Sequence, residues 1–225
     1  MPNMPNTNNK PSGGLLDRMG SLLRGWRDKN EPPVPNKTPG SASAGKALSD
    51  RGLLVFSHTG EVIKAEGAGA CSRGIAICFD CRVNSERFAH EAASVMAANG
   101  IHVRIFDALR PTPELSFAVK HYGTTAGLNI TASHNPPEYN GYKVYWEDGA
   151  QFTPPHDKGV TEEVMAITDL STVKTMGAQE AKAKGLYEII GAAIDDKYIA
   201  QVKAQVVNQG AIDRMQDQIT IVYTP

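Results

Sequence analysis

Cysteine is scarce in this chain: three residues, Cys71, Cys78 and Cys81, fall close together. An odd number in so short a span is no disulfide framework. The CFDC pair has metal-ligand or redox spacing, but no second C-x-x-C and no H-x-x-x-H completes a four-ligand zinc site. Nor does a helix begin after Cys78, as a redox motif of this spacing needs. Cys78 is therefore expected on a strand and Cys81 in the turn that follows. No apolar run approaches the roughly 18 to 20 residues of a membrane span, and the start of the chain lacks the apolar core of a secretory signal. Excess charge of one sign is also missing, with 23 basic against 24 acidic residues and a net charge of -1. Electrostatics thus gives no reason to expect nucleic acid or an anionic membrane as partner. The resulting expectation is a cytoplasmic protein.

Residues 1–50 are short of large apolar side chains and rich in Pro, Asn, Gly and Ser. They are expected to form a largely disordered tail. Within it, residues 15–28 place Leu15, Leu16, Met19, Leu22, Leu23 and Trp26 on one helical face. So short a helix is marginal alone. Docking to protein is preferred for it over lying on a membrane surface.

The pattern changes near residue 73. RGIAICFD reads as a buried strand. NSERFAHEAASVMAANG reads as a helix capped by Asn84 or Ser85, buried through Phe88, Ala92, Val95 and Met96, and ended by Gly100. IHVRIF is a second strand. RPTPELSFAVKHYG is a helix with Thr112 and Pro113 at its N-cap and first position and Gly123 at its stop. AGLNITA is a third strand. This alternation predicts an α/β domain of three layers with a mainly parallel sheet. Ligands of such sheets gather beyond the carboxyl ends of the strands. Asp80 with Arg82, Arg110 with Thr112, and Ser133 with His134 and Asn135 all fall at such ends.

The last of these lies in TASHNPPEYNGYK, residues 131–143. Ser133 lacks the flanking glycines of a hydrolase elbow, and adjacent residues of an extended segment point to opposite sides. His134 is thus badly placed as a base for its neighbour, and an acyl-transfer triad is not expected. Phosphoryl chemistry demands less of a base and more of donors and cations. An exposed serine beside an imidazole and an amide, held by two prolines, fits that role, with Lys143 supplying a cation after a chain reversal. On spacing alone, a merely structural turn fits equally well.

From GIAICFDCRVNSERF through TASHNPPEYNGYKVYWEDGAQFTPPHDKGV, roughly residues 73–165, the sequence resembles the first domain of the α-D-phosphohexomutases, the phosphoglucomutases and phosphomannomutases. The wording around NGYKVYWEDGAQ is closest to the phosphoglucomutase and phosphopentomutase branch. The resemblance implies that Ser133 carries the phosphoryl group exchanged between the 1- and 6-positions of a hexose phosphate. It implies that His134 shapes the site and that Lys143 transfers a proton or neutralises charge. Asp80, Arg82, Arg110 and Asn135 are carried as substrate-binding or supporting residues, although Cys81 stands where a serine is common. The family also implies Mg²⁺, held in part through the phosphate on Ser133, and glucose 1,6-bisphosphate as activator.

The sequence departs from that pattern at both ends. The family's Asp-Gly-Asp-Gly-Asp-Arg magnesium loop does not occur, and Asp195 and Asp196 look like the start of a helix. ITIVYTP resembles the opening strand of a second domain. Residues 51–194 are therefore expected to be the first domain, atypical in its N-terminal part, and 195–225 the truncated beginning of the second. The expectation is a fragment inactive alone, whose partner is a chain supplying domains II to IV. A non-catalytic sugar-phosphate-binding or regulatory module that docks to a partner is the alternative. Upstream, EGAGACSRG runs straight into the CFDC strand, with the family's intervening helix expected to be missing. RGLLVFSHTGEVIKAEG is read as an unrelated strand pair or a degenerate replacement, and Arg73 is not expected to stand in for the family's N-terminal arginine.

Overall fold

The structure, a computed structural model, describes residues 56–136, 139–152 and 170–222. The tail at 1–50 and its helix at 15–28 lie outside them. Residues 56–65 are helical (α1). They are followed by α2 (Ala68–Arg73), β1 (Ile75–Phe79), α3 (Ser85–Ala98), β2 (Val103–Phe106), α4 (Thr112–Tyr122), β3 (Ala126–Ile130) and β4 (Tyr142–Trp146). After a short 3-10 turn come α5 (Ala178–Ala183), β5 (Tyr187–Ile190), α6 (Ala192–Lys203) and α7 (Gln209–Met215).

The strands form one sheet in the order β4-β3-β1-β2-β5. β3, β1, β2 and β5 run parallel and β4 is antiparallel to β3. Period-2 alternation divides the sheet's side chains between two cores. Ile75, Ile77, Val103, Ile105, Leu128 and Val144 pack with residues of α1, α3 and α5 on one face. Ala76, Cys78, Phe106, Tyr145 and Ile190 pack with Leu115, Ala118 and Val119 of α4 and Ile194 of α6 on the other. The expected three-layer α/β/α arrangement with a mainly parallel sheet is therefore present.

Two expectations for the N-terminal part are corrected. Residues 56–65 form a helix, not a strand pair, and so a helix does precede the CFDC strand. Phe56 and Ile63 are buried in the first core, and Thr59 Oγ1 meets the Tyr142 hydroxyl at 3.2 Å. A helical period fits burial on one side of a sheet.

The caps differ by one position or in their bonding. Asn84 is the N-cap of α3 in the left-handed region (φ 67°) without a side-chain cap bond. Ser85 instead donates to Asp80 Oδ1 at 2.6 Å. Pro111 is the N-cap of α4, and Thr112 is already helical. Its hydroxyl accepts from Asn129 Nδ2 at 2.7 Å. Gly123 ends α4 left-handed, as anticipated.

Candidate functional site

Parallel pairing of β1 with β3 in register, Ile75 opposite Ala126 through Phe79 opposite Ile130, brings the carboxyl ends of both strands side by side. Asp80 N donates to Ile130 O at the junction. The DCR segment therefore emerges next to the segment that carries Ser133. Beyond β3 the chain makes a loop closed at its base by Thr131 N to Gly141 O (2.9 Å), and β4 then returns along β3.

Ser133 lies exposed on this loop in the left-handed region (φ 55°). A non-glycine residue pays backbone strain there, of the kind that surroundings must enforce. Here its N–H donates to Thr131 Oγ1 at 3.0 Å, and Asn135 N donates to Ala132 O at 3.1 Å. Lys143, opposite Asn129 in β4, donates from Nζ to Ser133 Oγ at 2.5 Å. His134 and Asn135 are exposed beside it. The loop's other support is Arg82, which donates to four backbone carbonyls: those of Pro136 (2.8 Å) and Tyr139 (2.9 Å) from Nη1, and those of Ser133 and Asn135 (2.6 Å each) from Nη2. Asp80 Oδ1 accepts from Arg82 N at 3.0 Å, and its Oδ2 faces Arg82 Nε at 3.5 Å.

Of the residues singled out from the sequence, Ser133, Lys143, Asp80, Arg82, His134 and Asn135 thus share one loop and its supports. Arg110 belongs to a separate cluster. Its guanidinium is bound by both carboxylate oxygens of Asp195 (2.8 and 2.6 Å) and by Asp107 (2.9 Å). Arg73 sits before the amino end of β1 and pairs with Glu147, which follows β4. That is the edge of the sheet opposite to Ser133.

Sequence reading missed Thr131, Ser85 and Asn140 as supports. Asn140 Nδ2 donates to Ser85 Oγ (2.9 Å) and Val83 O (3.1 Å), which ties the far limb of the loop to the start of α3. The available signal was the Asn-Gly pair, which marks a turn. Beneath the loop, Cys78 is buried in β1, and its thiol donates to Asn129 Oδ1 at 3.2 Å. Burial pushes that thiol far up from its ordinary range. Cys81 is exposed in the bend after the strand.

Glu114 is 4% exposed, and its Oε1 has no hydrogen-bond partner. Burial, with a hydrogen bond that the protonated carboxyl donates to Asp195 and repulsion from the Asp195 charge, raises its carboxyl from 4.5 to about 7. Asp195 is held low by its hydrogen bonds from Arg110, so the shared proton resides on Glu114. Between 4.5 and about 7 the unfolded chain releases a proton that the folded chain keeps, and stability falls as pH rises through that window. Glu114→Gln should match the parent near pH 4 and exceed its stability by about 1 to 3 kcal/mol near pH 8. Urea unfolding of both chains at the two pH values checks this.

Among the described residues, no group of three or more His, Cys, Asp or Glu is placed to hold a metal ion. Mg²⁺ demands a near-octahedral set of oxygens, and a seryl phosphate supplies only part of one. The described residues do not by themselves fit that ion. No described helix is long and apolar enough to cross a membrane.

Residues 49–171 match the family domain described as phosphoglucomutase/phosphomannomutase, alpha/beta/alpha domain I. The chain is similar to the phosphopentomutase of Homo sapiens, 47% identical over 98 residues, covering 41% of this chain and 16% of that protein. It is also similar to the phosphoglucomutase of Staphylococcus saprophyticus, 38% identical over 139 residues, covering 62% and 25%. The chain thus spans between a sixth and a quarter of the length of these relatives. In fold it is similar to the open form of parafusin, a phosphoglucomutase of Paramecium, with a TM-score of 0.52, 15% identity, and 76% and 35% of the two chains covered. A Thermus thermophilus structure assigned as a phosphomannomutase gives a TM-score of 0.58 at 24% identity, covering 71% and 32%.

Proposed function

Since the chain belongs to the phosphoglucomutase/phosphomannomutase family, we propose that it is the phosphoserine-bearing first domain of a phosphosugar mutase, with a hexose phosphate as substrate and Ser133 as phosphoryl carrier. The observation that carries this reading is the exposed Ser133 hydroxyl at 2.5 Å from Lys143 Nζ. In the half-reaction, Ser133 Oγ forms a bond to phosphorus of a sugar bisphosphate and the bond from phosphorus to the sugar oxygen breaks. The seryl proton ends on that sugar oxygen. The seryl phosphate carries about -1.5 to -2 charges and three acceptor oxygens. The Lys143 ammonium stabilises that charge, and His134 shapes the approach beside it. Asp80, Arg82 and Asn135 support the loop, and Arg110 supports it at a distance by tying the segment after β2 to α6.

The metal, the sugar-recognition residues and the distal phosphate clamp are assigned to the remainder of a mutase, and so are Mg²⁺ and the activating glucose 1,6-bisphosphate. We take residues 51–194 as the first domain and 195–225 as leading into the second. The continuity of α6 from Ala192 to Lys203, with Ile194 in the core, supports carrying the first domain a few residues further, to the end of that helix. The 225 residues alone, given glucose 1-phosphate, Mg²⁺ and a trace of glucose 1,6-bisphosphate, are expected to show no turnover in a coupled assay. Turnover at enzymatic rates would contradict this assignment. Co-purification with a chain bearing the rest of a mutase would support it.

A further inference from the structure

A guanidinium has five N–H donors in a rigid fork. In Arg82 four of them go to the carbonyls of Ser133, Asn135, Pro136 and Tyr139, and the fifth faces Asp80. Every donor is engaged by the chain itself, and none remains for a phosphate. Four carbonyl oxygens converging on one point repel one another, and a cation at that point makes the convergence favourable. Hydrogen bonds from a charged donor are also roughly twice as strong as neutral ones. The primary structure assists: Asn135 and Pro136 each precede a proline, so two of the four peptide units have no N–H to leave unpaired when their carbonyls turn inward. The peptide joining Ser133 to His134 is planar with its N–H opposite its carbonyl. Fixing the Ser133 carbonyl on Arg82 therefore directs the His134 N–H away from Arg82.

We infer that Arg82 is a positioning residue for Ser133, a clasp that holds residues 133–136 and Tyr139 in the reactive conformation through their backbone, and not a ligand for the substrate's phosphate. Its effect on phosphoryl transfer rests on the reading of Ser133 given above; the clasp itself does not. An ammonium cannot replace it, because three donors on a flexible stem cannot reach four carbonyls in a plane.

The test uses Arg82→Lys and Arg82→Ala in the full chain, followed by amide hydrogen exchange. Thr131, Ser133 and Asn135, whose N–H groups are bonded within the loop, should exchange at least about tenfold faster in both variants while β1 to β3 keep their protection. Millimolar guanidinium should restore the slow exchange in Arg82→Ala but not in Arg82→Lys. With a hexose bisphosphate as phosphoryl donor, acceptance at Ser133 should slow in both variants and recover with guanidinium in the same one. Unchanged loop exchange, alone or with weakened sugar-phosphate binding, would overturn the inference. So would loss of protection throughout the sheet, which would make Arg82 a residue of the fold. If the parent, supplied with Mg²⁺ and a chain bearing the rest of a mutase, accepts no phosphoryl group, the mutase reading fails and exchange alone decides the clasp.

Discussion

Lys143→Met should slow phosphoryl acceptance at Ser133 by about 10²- to 10³-fold, the usual cost of removing one preorganised charge or donor from a developing anion. The ammonium is held where it acts. Lys143 pairs with Asn129 through the β4 backbone, and its Nζ lies 2.5 Å from Ser133 Oγ. Methionine keeps the length of the stem and most of its packing while removing the charge. The melting temperature should therefore stay within a few degrees of the parent, because half-exposed polar positions carry little stability. Lys143→Arg should recover part of the rate, since the charge remains but the fork fits a single oxygen less well. Time-resolved intact mass, with a sugar bisphosphate as donor and with Mg²⁺ and a chain supplying the rest of a mutase present, reads all three chains. A methionine variant that accepts phosphate as fast as the parent would remove Lys143 from the account.

Gly74→Ala should destabilise the domain by about 3 kcal/mol or more. Gly74 has φ 75°, and a Cβ added there would overlap the His102 carbonyl. That carbonyl accepts from Ile75 N at 2.8 Å, and the Gly74 carbonyl accepts from Thr125 N at 2.9 Å. This one residue thus starts β1 against both of its neighbours. Neither group can retreat without breaking the parallel pairing that sets Arg82 beside Ser133. Thermal unfolding should shift down by about 6 to 12 °C. A shift within error of zero would mean that the start of β1 is laxer than its bonding suggests.

The alternation of apolar runs and amphipathic segments between residues 73 and 132 was enough to place β1, β2, β3 and the two helices between them, because each element buries a continuous face. β4 was hidden by its position: YKVYW follows a loop already explained as a reversal, and its alternation passed for loop composition. β5 was hidden by its brevity, four residues between two helices. Residues 56–65 misled because Val62 and Ile63 suit strands locally, whereas Phe56 packing against Tyr142 of β4 and Ile63 buried in the same core favour a helix there. The site divides in the same way. That Ser133, His134 and Lys143 belong to one loop region was legible from the TASHNPPEYNGYK run and the resemblance it carries, since spacing alone fitted a structural turn equally well. The role of Arg82 was not, since its four partners lie more than fifty residues away and are carbonyls, which every residue possesses. Arg110 looked equivalent to Arg82 at the end of a parallel strand. Asp195, 85 residues downstream, draws it into another cluster.

The most direct test of Ser133 as phosphoryl carrier is intact mass with site mapping after incubation with glucose 1,6-bisphosphate, Mg²⁺ and a chain supplying the rest of a mutase. The account predicts one added phosphoryl group, located on Ser133 and absent from Ser133→Ala. No added mass, or a phosphoryl group on any other residue, would contradict it.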